Sequence, residues 1–397
     1  MARDDVEKNT DGTVEQREQN PALYEAAYEP RYDIFGLGRT ESYDHRVVSQ
    51  LAESKIKDPD QLAKFRADMD RFESRLASRD LGSLETDLAY REIERLLVAE
   101  GDKPLSAERR LQLAQQVMSQ LATPTSIDQG YHNTCNVTAV EARTYTRHPA
   151  LAAQLVADVA LTGEYHAQDG TVVKVSPESL QPDREAQRNP PAYGERSFAS
   201  QLFQVTAINI HWAKYNALWT PPSQLRYEQR TPDPTANPPD TGERLVDYSK
   251  DPPKLNANEP HLYDSAIVKL SCAITGESEH DDIFLVHQEK ELGSRSGLTL
   301  IASEADLEKR LGKVATDGNL PIIVSVNTRF EPFRSDSAKG RPGGTGGAHV
   351  VTITQYYPGP PARVGIDNQW GEKADHLGDN AILIRDLYLS MRPPDSA

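Results

Sequence analysis

The stretch AHVVTITQYYPGPPARVGIDNQWG, residues 348–371, contains two apolar segments separated by Pro-Gly-Pro-Pro. This pattern predicts a β-hairpin with strands over AHVVTITQYY and ARVGIDNQW. A turn centred on the Pro-Gly pair would place Asn368 opposite His349, where Cβ atoms lie roughly 5 Å apart. The asparagine amide would then reach the imidazole and fix its tautomer. Asp367 is a rival for this role, but neighbouring strand side chains point to opposite faces, so only one of the two can face His349.

A second stretch, TSIDQGYHNTCNVTAVE at residues 125–141, carries one of the two cysteines of the chain. Gln129 lies six positions before Cys135 in a turn-forming run, and a helical pattern follows the cysteine. A thiol, an imidazole and an orienting amide are the components of a cysteine nucleophile site. We therefore interpret Cys135 as a nucleophile at the start of a helix. The alternative for this residue is a buried small hydrophobe.

Two further residues near these motifs receive different interpretations. His132 precedes the helix that starts at Cys135, and we expect it to line the cleft. Cys272, in SAIVKLSCAITG, alternates with apolar neighbours, which predicts a strand in which this cysteine is a core residue.

These motifs, in this order, resemble those of the papain superfamily of cysteine peptidases. Members have a glutamine six positions before the nucleophilic cysteine, a glycine-rich loop before a strand-initiating histidine, and an Asn-x-Trp-Gly element, here NQWG. The resemblance implies that Cys135 attacks the substrate, His349 shuttles the proton and Asn368 orients the histidine. It also implies that Gln129 donates to the oxyanion and that Trp370 shields the His–Asn bond from water.

The resemblance also implies a fold, but the sequence departs from the family pattern. It predicts an α+β, papain-like two-lobed fold, with a helical lobe carrying Cys135, an antiparallel barrel-like sheet carrying His349 and Asn368, and an N-terminal helical extension. The residue after the cysteine is Asn136, where the peptidases usually have an aromatic residue. The interval from cysteine to histidine is longer than the roughly 130 to 150 residues of the papain signature. The chain would be a divergent member, of bacterial type.

Composition changes along the chain predict three regions. Residues 1–55 are charged and weakly apolar, which predicts a mostly irregular segment. Residues 56–122 contain three amphipathic patterns and form a predicted helical subdomain. Residues 123–397 form the predicted catalytic domain, with a proline-rich surface insertion around 220–262 that has little to bury. The helical subdomain is either a restraining element, like the propeptides of many papain-like enzymes, or an integral part of the core.

Composition also restricts the partners. The formal charge of −16 disfavours non-specific binding to nucleic acid or anionic membranes, so a protein or peptide substrate fits better. The first residues contain no apolar signal region, and no stretch of about 18 apolar residues is present, so we expect a cytoplasmic protein unless a signal-independent route exports it. The sequence does not indicate an oligomeric state. We expect no metal or cofactor, because one set of candidate ligands fits no compact zinc pattern: His261, Cys272, His280 and His287.

The sequence thus predicts a cysteine peptidase that hydrolyses peptide bonds through a Cys-His-Asn triad and a thioester acyl-enzyme. The same intermediate serves a transglutaminase or a glutamine deamidase. A catalytically silent module that binds a peptide in the cleft is the remaining alternative.

Overall fold

The computed structural model describes residues 43–79, 83–102, 104–218, 223–237, 240–278, 283–287, 298–340, 347–371 and 374–392. Four helices come first: α1 (Tyr43–Lys55), α2 (Pro59–Ser78), α3 (Ser83–Val98) and α4 (Ala107–Ala122). The three helices predicted over 56–122 are confirmed. In α2 the apolar residues three and four positions apart are buried, and Asp58 caps the helix by accepting from the backbone N–H of Asp60 and Gln61. Helix α1 lies in the segment predicted to be mostly irregular, whose residues 1–42 are outside the described residues.

Helices α5 (Cys135–Arg147), α6 (Pro149–Thr162) and α7 (Phe198–Ala217) follow, and α5 confirms the helix predicted after the cysteine loop. Helix α8 (Asp264–Thr275) corrects the strand predicted over SAIVKLSCAITG. Its buried residues, among them Ala266, Ile267, Leu270 and Ile274, recur at helical spacing, and a short apolar run does not distinguish helix from strand. The prediction that Cys272 lies on a strand is therefore wrong, and the residue packs against the hydrophobic core from a helix. Its side chain is half-buried on α8 at the edge of the core.

Two smaller sheets precede the main one along the chain. Strands β1 (Glu164–His166) and β2 (Val172–Lys174) form an antiparallel hairpin around Asp169 and Gly170. Strands β3 (Leu225–Gln229), β4 (Glu243–Asp247) and β5 (Lys254–Ala257) form an antiparallel sheet within 220–262. The prediction that this stretch has little to bury is wrong, because Tyr227, Glu243 and Leu245 are each at most 1% exposed. Prolines concentrated in the connections conceal the short strands.

The largest sheet is formed by six strands: β6 (Phe284–His287), β7 (Leu298–Ile301), β8 (Ile322–Asn327), β9 (Ala348–Tyr357), β10 (Arg363–Asp367) and β11 (Ile382–Leu383). They lie side by side in the order β11-β10-β9-β8-β6-β7. The predicted hairpin of β9 and β10 is confirmed, and β9 is also antiparallel to β8. The prediction of an antiparallel barrel is wrong, because β6 is parallel to both β7 and β8 and the sheet is open.

Three helices accompany the strands of the main sheet. Helix α9 (Glu304–Thr316) connects β7 to β8, and such helical crossovers join strands that run in the same direction. Helix α10 (Phe333–Gly340) lies between β8 and β9 along the chain, and α11 (Ile384–Ser390) follows β11.

The main sheet lies between two hydrophobic clusters. Ile323 and Val350 face the larger cluster, which also contains buried side chains from α1 to α8. Val324 and Val351 face the smaller cluster, formed with α9 and α11. All described residues belong to one compact unit. The protein is therefore of mixed α+β architecture, and helices α2 to α4 share a hydrophobic core with the helix that begins at Cys135. Among the described residues, no helix is both long enough and apolar enough to cross a membrane.

Polar contacts also connect the N-terminal helices to the centre of the molecule. Arg75 of α2 donates to the carbonyl oxygen of Leu121 (2.8 Å), near the end of α4, and to that of Tyr145 (3.1 Å), near the end of α5. Burial and, to a smaller extent, the charge of Arg79 lower the pKa of the Arg75 guanidinium to about 10. A charge held at this depth requires the carbonyl oxygens that surround it.

Candidate active site

Cys135 is the first residue of α5 and is half-buried. Helix α5 packs against β9, and His349 is the second residue of that strand. The backbone N–H groups at the start of a helix carry a partial positive charge, which favours an anion there. The thiol therefore lies at a helix end that stabilises a thiolate, on an element that contacts the strand of the candidate base.

His349 and Asn368 are in direct contact. Nε2 of the histidine lies 2.8 Å from Oδ1 of the asparagine, and both side chains are buried. The indole of Trp370 stacks on the imidazole, with ring centroids 3.9 Å apart and an angle of 17° between the planes. An amide oxygen at this position accepts from the Nε2–H tautomer, so Nδ1 is the nitrogen that would act on a thiol.

The contact is not made as the hairpin prediction proposed. Asp367 pairs with Thr352, and the register shifts between Gly365 and Ile366. Asn368 therefore follows the end of β10 and is not directly opposite His349. It reaches the ring from a turn in which the next residue, Gln369, has a φ of 53°.

Asp367, the rival orienting residue, is directed elsewhere. Its carboxylate accepts from Thr352 Oγ1 (3.2 Å) and from the backbone N–H of Gln369 (3.3 Å). Burial raises the pKa of Asp367 well above its usual range, and the charge of Asp375 raises it further. These contacts place Asp367 on the side of the turn that stabilises the Gln369 backbone.

The cysteine loop and the NQWG loop are held together. The backbone N–H of Gln129 donates to the carbonyl oxygen of Gln369 (3.1 Å). Gly371 has a φ of +89°, and a Cβ at this position would lie 3.0 Å from the ring of Tyr193 and 3.2 Å from Asp128 Oδ2. The motifs predicted from two distant parts of the chain therefore converge at one place.

The side chain of Gln129 is buried and already makes one hydrogen bond. Its Nε2 donates to the carbonyl oxygen of His132 (2.7 Å). Its Oε1 is buried and has no hydrogen-bond partner among the residues described. An amide nitrogen carries two hydrogens, so this bond leaves one of them for an oxyanion.

Three carboxylates fix the backbone of the loop that precedes Cys135. Asp128 accepts from the N–H of Gly130, Glu185 from that of Tyr131 and Glu243 from that of Asn133, each at 2.9 Å. Gly130 has a φ of +61°, and a Cβ here would lie 2.0 Å from a carboxylate oxygen of Glu185. The loop has a defined conformation because each of these donors has a partner. Glu185 and Glu243 have no signature in the sequence, because they are remote along the chain from the loop that they stabilise.

His132 is not a cleft-lining residue, contrary to expectation, but is buried among these carboxylates. Its Nε2 lies 2.9 Å from Asp183 Oδ2, and its Nδ1 lies 3.8 Å from Glu243 Oε2. Burial and the charge of Arg196 lower its pKa, but the contacts with the carboxylates of Asp183 and Glu243 outweigh them, so the pKa is raised. Burial raises the pKa of Asp183, but the charge of Arg196 and the contact with His132 hold it well below its usual range.

A chain of polar side chains continues beneath the cysteine helix. Arg196 donates to Gln204 Oε1 (3.2 Å), which also accepts from Thr134 Oγ1 (2.9 Å), the residue before Cys135. Gln204 Nε2 donates to Glu141 Oε2 (2.9 Å). Burial raises the pKa of Glu141 to about 7, although the bonds from Gln204 and Ser200 and the charge of Arg196 lower it.

Asn368 has its own set of partners on the side away from His349. Its Nδ2 donates to Asp336 Oδ2 (3.1 Å) and to the carbonyl oxygen of Ala374 (3.2 Å). His376 Nε2 lies 2.8 Å from the same oxygen of Asp336. The sequence analysis identified neither Asp336 nor His376, because neither lies in a recognisable motif.

Of the zinc ligands considered, His280 lies outside the described residues. In the part of the chain that the structure describes, no group of three or more His, Cys, Asp or Glu side chains is arranged to hold a metal ion.

Comparison with known proteins gives no relative. No model of a known protein family matches the chain, and no curated protein and no solved structure matches it either.

Proposed function

We propose that the chain is a cysteine peptidase that hydrolyses peptide bonds through Cys135, His349 and Asn368. The observation that carries the proposal is the buried His349, with Nε2 2.8 Å from the Asn368 oxygen and its ring face stacked 3.9 Å from Trp370. An amide oxygen fixes the tautomer without adding a negative charge, and the indole keeps water from the bond. Both features hold the imidazole in the orientation that presents Nδ1.

The proposed nucleophile is a thiolate. An ordinary cysteine thiol has a pKa of about 8.5 and is mostly protonated at neutral pH. Two features support the ionised form of Cys135: its position at the N-terminus of α5, and a histidine whose protonated form is stabilised by the Asn368 oxygen.

The reaction proceeds in two steps. Cys135 Sγ attacks the carbonyl carbon and forms a C–S bond, while the Cys135 N–H and the second amide hydrogen of Gln129 stabilise the oxyanion. The protonated His349 gives its proton to the leaving amine as the C–N bond breaks. Water then attacks the thioester and gives a proton to His349, and the C–S bond breaks to restore the thiolate.

A papain-like, two-lobed arrangement is part of this proposal. The helices carry Cys135 and the sheet carries His349, as the two lobes of that family do. The open, mixed sheet departs from the family pattern, and we interpret the chain as a divergent member. The proposed substrate is a protein or peptide.

Incubation with a peptide library, followed by mass spectrometry of the products, tests the proposal. We expect chain cleavage by the parent protein and none by Cys135→Ala. Conversion of glutamine to glutamate without cleavage would assign a deamidase, and glutamine–amine conjugates would assign a transglutaminase. Absence of any product from both the parent and Cys135→Ala would overturn an enzymatic role for Cys135, and the remaining alternative would then be a silent module that binds a peptide.

A further inference from the structure

The amide of Asn368 has two chemically different ends of nearly the same shape. Rotation by half a turn would present the NH₂ group to His349 in place of the oxygen. An NH₂ group cannot accept from the Nε2–H of His349, and it repels an imidazolium. The proposed chemistry therefore needs a device that keeps the oxygen directed at the histidine.

The partners of Asn368 provide such a device. A carboxylate and a backbone carbonyl only accept hydrogen bonds, and both Asp336 and the Ala374 carbonyl lie at the NH₂ end. The rotated amide would place its oxygen against these two acceptors in a site where Asn368 is fully buried. Repulsion between acceptors is strong where water is excluded, so the observed orientation is favoured.

We propose that Asp336 is a positioning residue of the active site, an inference that rests on the proposed function. Its carboxylate fixes the orientation of the Asn368 amide, and His376 fixes the carboxylate. Asp336 lies on α10, is 2% exposed, and has its Oδ2 between the Asn368 and His376 donors. A chain of contacts thus runs from His376 through Asp336 and Asn368 to His349.

The asymmetry of this arrangement predicts how exchanged residues behave. In Asp336→Asn the new amide can donate or accept, so both orientations of Asn368 become acceptable. In Asn368→Asp two carboxylates face each other at about the present 3.1 Å separation of Asn368 and Asp336, which is unfavourable in a buried site. In the double exchange, the carboxylate at position 368 would accept from His349, and the amide at position 336 would donate to that carboxylate. The complementarity between positions 336 and 368 is then restored with the roles reversed, and only the Ala374 carbonyl still faces an oxygen.

The experiment measures the rate at which iodoacetamide alkylates Cys135 as a function of pH, in a Cys272→Ser background. The variants are Asp336→Asn, Asn368→Asp and the double exchange, with Asp379→Asn as a control at an exposed aspartate. Thermal melts establish that each variant is folded. This readout needs no substrate and reports the ionisation of the thiol in the presence of His349.

We expect the alkylation rate of the parent to rise with pH around an inflection well below about pH 8.5. Asp336→Asn should lower the rate at neutral pH about tenfold, the effect of losing one hydrogen bond to a charged group. Asn368→Asp should lower it at least as much, and the double exchange should be faster than both single variants without reaching the parent rate, because the Ala374 carbonyl still opposes an oxygen at position 368. The control should match the parent.

Three outcomes would overturn the inference, and they are distinguishable. If the parent has a low inflection and Asp336→Asn leaves it unchanged, the positioning role is wrong and the proposed function stands. If the double exchange is slower than both single variants, Asp336 only supports the fold. If the parent titrates as an ordinary thiol near about 8.5, the proposed function fails and the inference with it.

Should Asp336→Asn not fold, His376→Gln decides the question. The glutamine amide keeps a donor for Asp336 but not the histidine geometry, so we expect a smaller loss of rate in the same direction. An unchanged profile in a folded His376→Gln variant would overturn the chain of contacts.

Discussion

Substitution of Glu141 by glutamine should stabilise the protein at neutral pH. Glu141 lies on α5 beneath the candidate nucleophile and is fully buried. Burial raises its pKa from 4.5 to about 7, although the bonds from Gln204 and Ser200 oppose this. Glutamine keeps the shape and an oxygen that can accept from Gln204. The substitution therefore removes the ionisable group and retains its contact.

The expected magnitude follows from the difference between the folded and unfolded pKa values. In the unfolded chain the carboxyl ionises above about pH 4.5, whereas the folded protein keeps it protonated up to about pH 7. The raised pKa of an acid disfavours the folded state as pH rises through this window, and the penalty is absent below it. At about 1.36 kcal/mol per pKa unit, the full penalty is about 3 kcal/mol, and about 2 to 3 kcal/mol of it develops between about pH 5 and 8.

Urea unfolding of the parent and Glu141→Gln across this pH range measures the effect. We expect the free energy of unfolding of the variant, relative to the parent, to increase with pH. Glu277→Gln is a matched control, in which the change in the free energy of unfolding should have the opposite sign. Burial raises the pKa of Glu277, but the hydrogen bond from His148 and the charge of Arg143 outweigh it and hold the pKa well below its usual range. The control should therefore be less stable than the parent by an amount that stays nearly constant across this range, because the pH dependence of a lowered acid pKa lies below its ordinary value. A Glu141→Gln difference that does not change with pH would refute the reasoning.

Further predictions concern the site and the N-terminal helices. Cys135→Ala and His349→Ala should each abolish peptide cleavage measured by mass spectrometry, whereas Asn368→Ala should retain a measurable residue, because an orienting group contributes less than a nucleophile or base. Complete loss in Asn368→Ala equal to that in Cys135→Ala would contradict this order. Cys272→Ser should leave cleavage intact, and a thiol-directed activity probe should label the parent at Cys135 far above Cys272; equal labelling would contradict the assignment. A chain beginning at Thr123 should aggregate or lose its cooperative melt, because it lacks helices whose buried Phe, Met and Leu side chains share the hydrophobic core. Each of these buried side chains contributes about 1.5 to 3 kcal/mol to the free energy of unfolding. A folded and more active chain would show that the helices are inhibitory.

Sequence patterns identify the elements whose apolar residues recur with a clear period. Helices α2, α5, α7 and α9 and the β9–β10 hairpin are of this kind. The strand prediction for α8 is wrong because its apolar run is short, and runs of that length do not distinguish the two periods. The strands β3 to β5 escape prediction because prolines in their connections dominate the local composition. The parallel strand pairs escape it because strand order depends on long-range packing.

In the candidate site, too, contacts within one local segment are predictable from the sequence, and contacts between distant segments are not. The hairpin predicts the proximity of His349 and Asn368, but a register shift at Gly365 moves Asn368 past the end of the strand. The contact persists because the turn at Gln369 directs the amide back to the ring. Partners that approach from other elements, such as Asp336, have no local signature. Their roles follow only from hydrogen bonds between residues far apart in sequence.

The central claim is that Cys135 and His349 form a thiolate–imidazolium pair. Titration of the ultraviolet absorbance of the thiolate, in the Cys272→Ser background with and without His349→Ala, tests it most directly. We predict a thiolate that persists well below the ordinary thiol pKa of about 8.5 and moves towards that value when His349 is removed. A titration near about 8.5 that is the same with and without His349 would contradict the account.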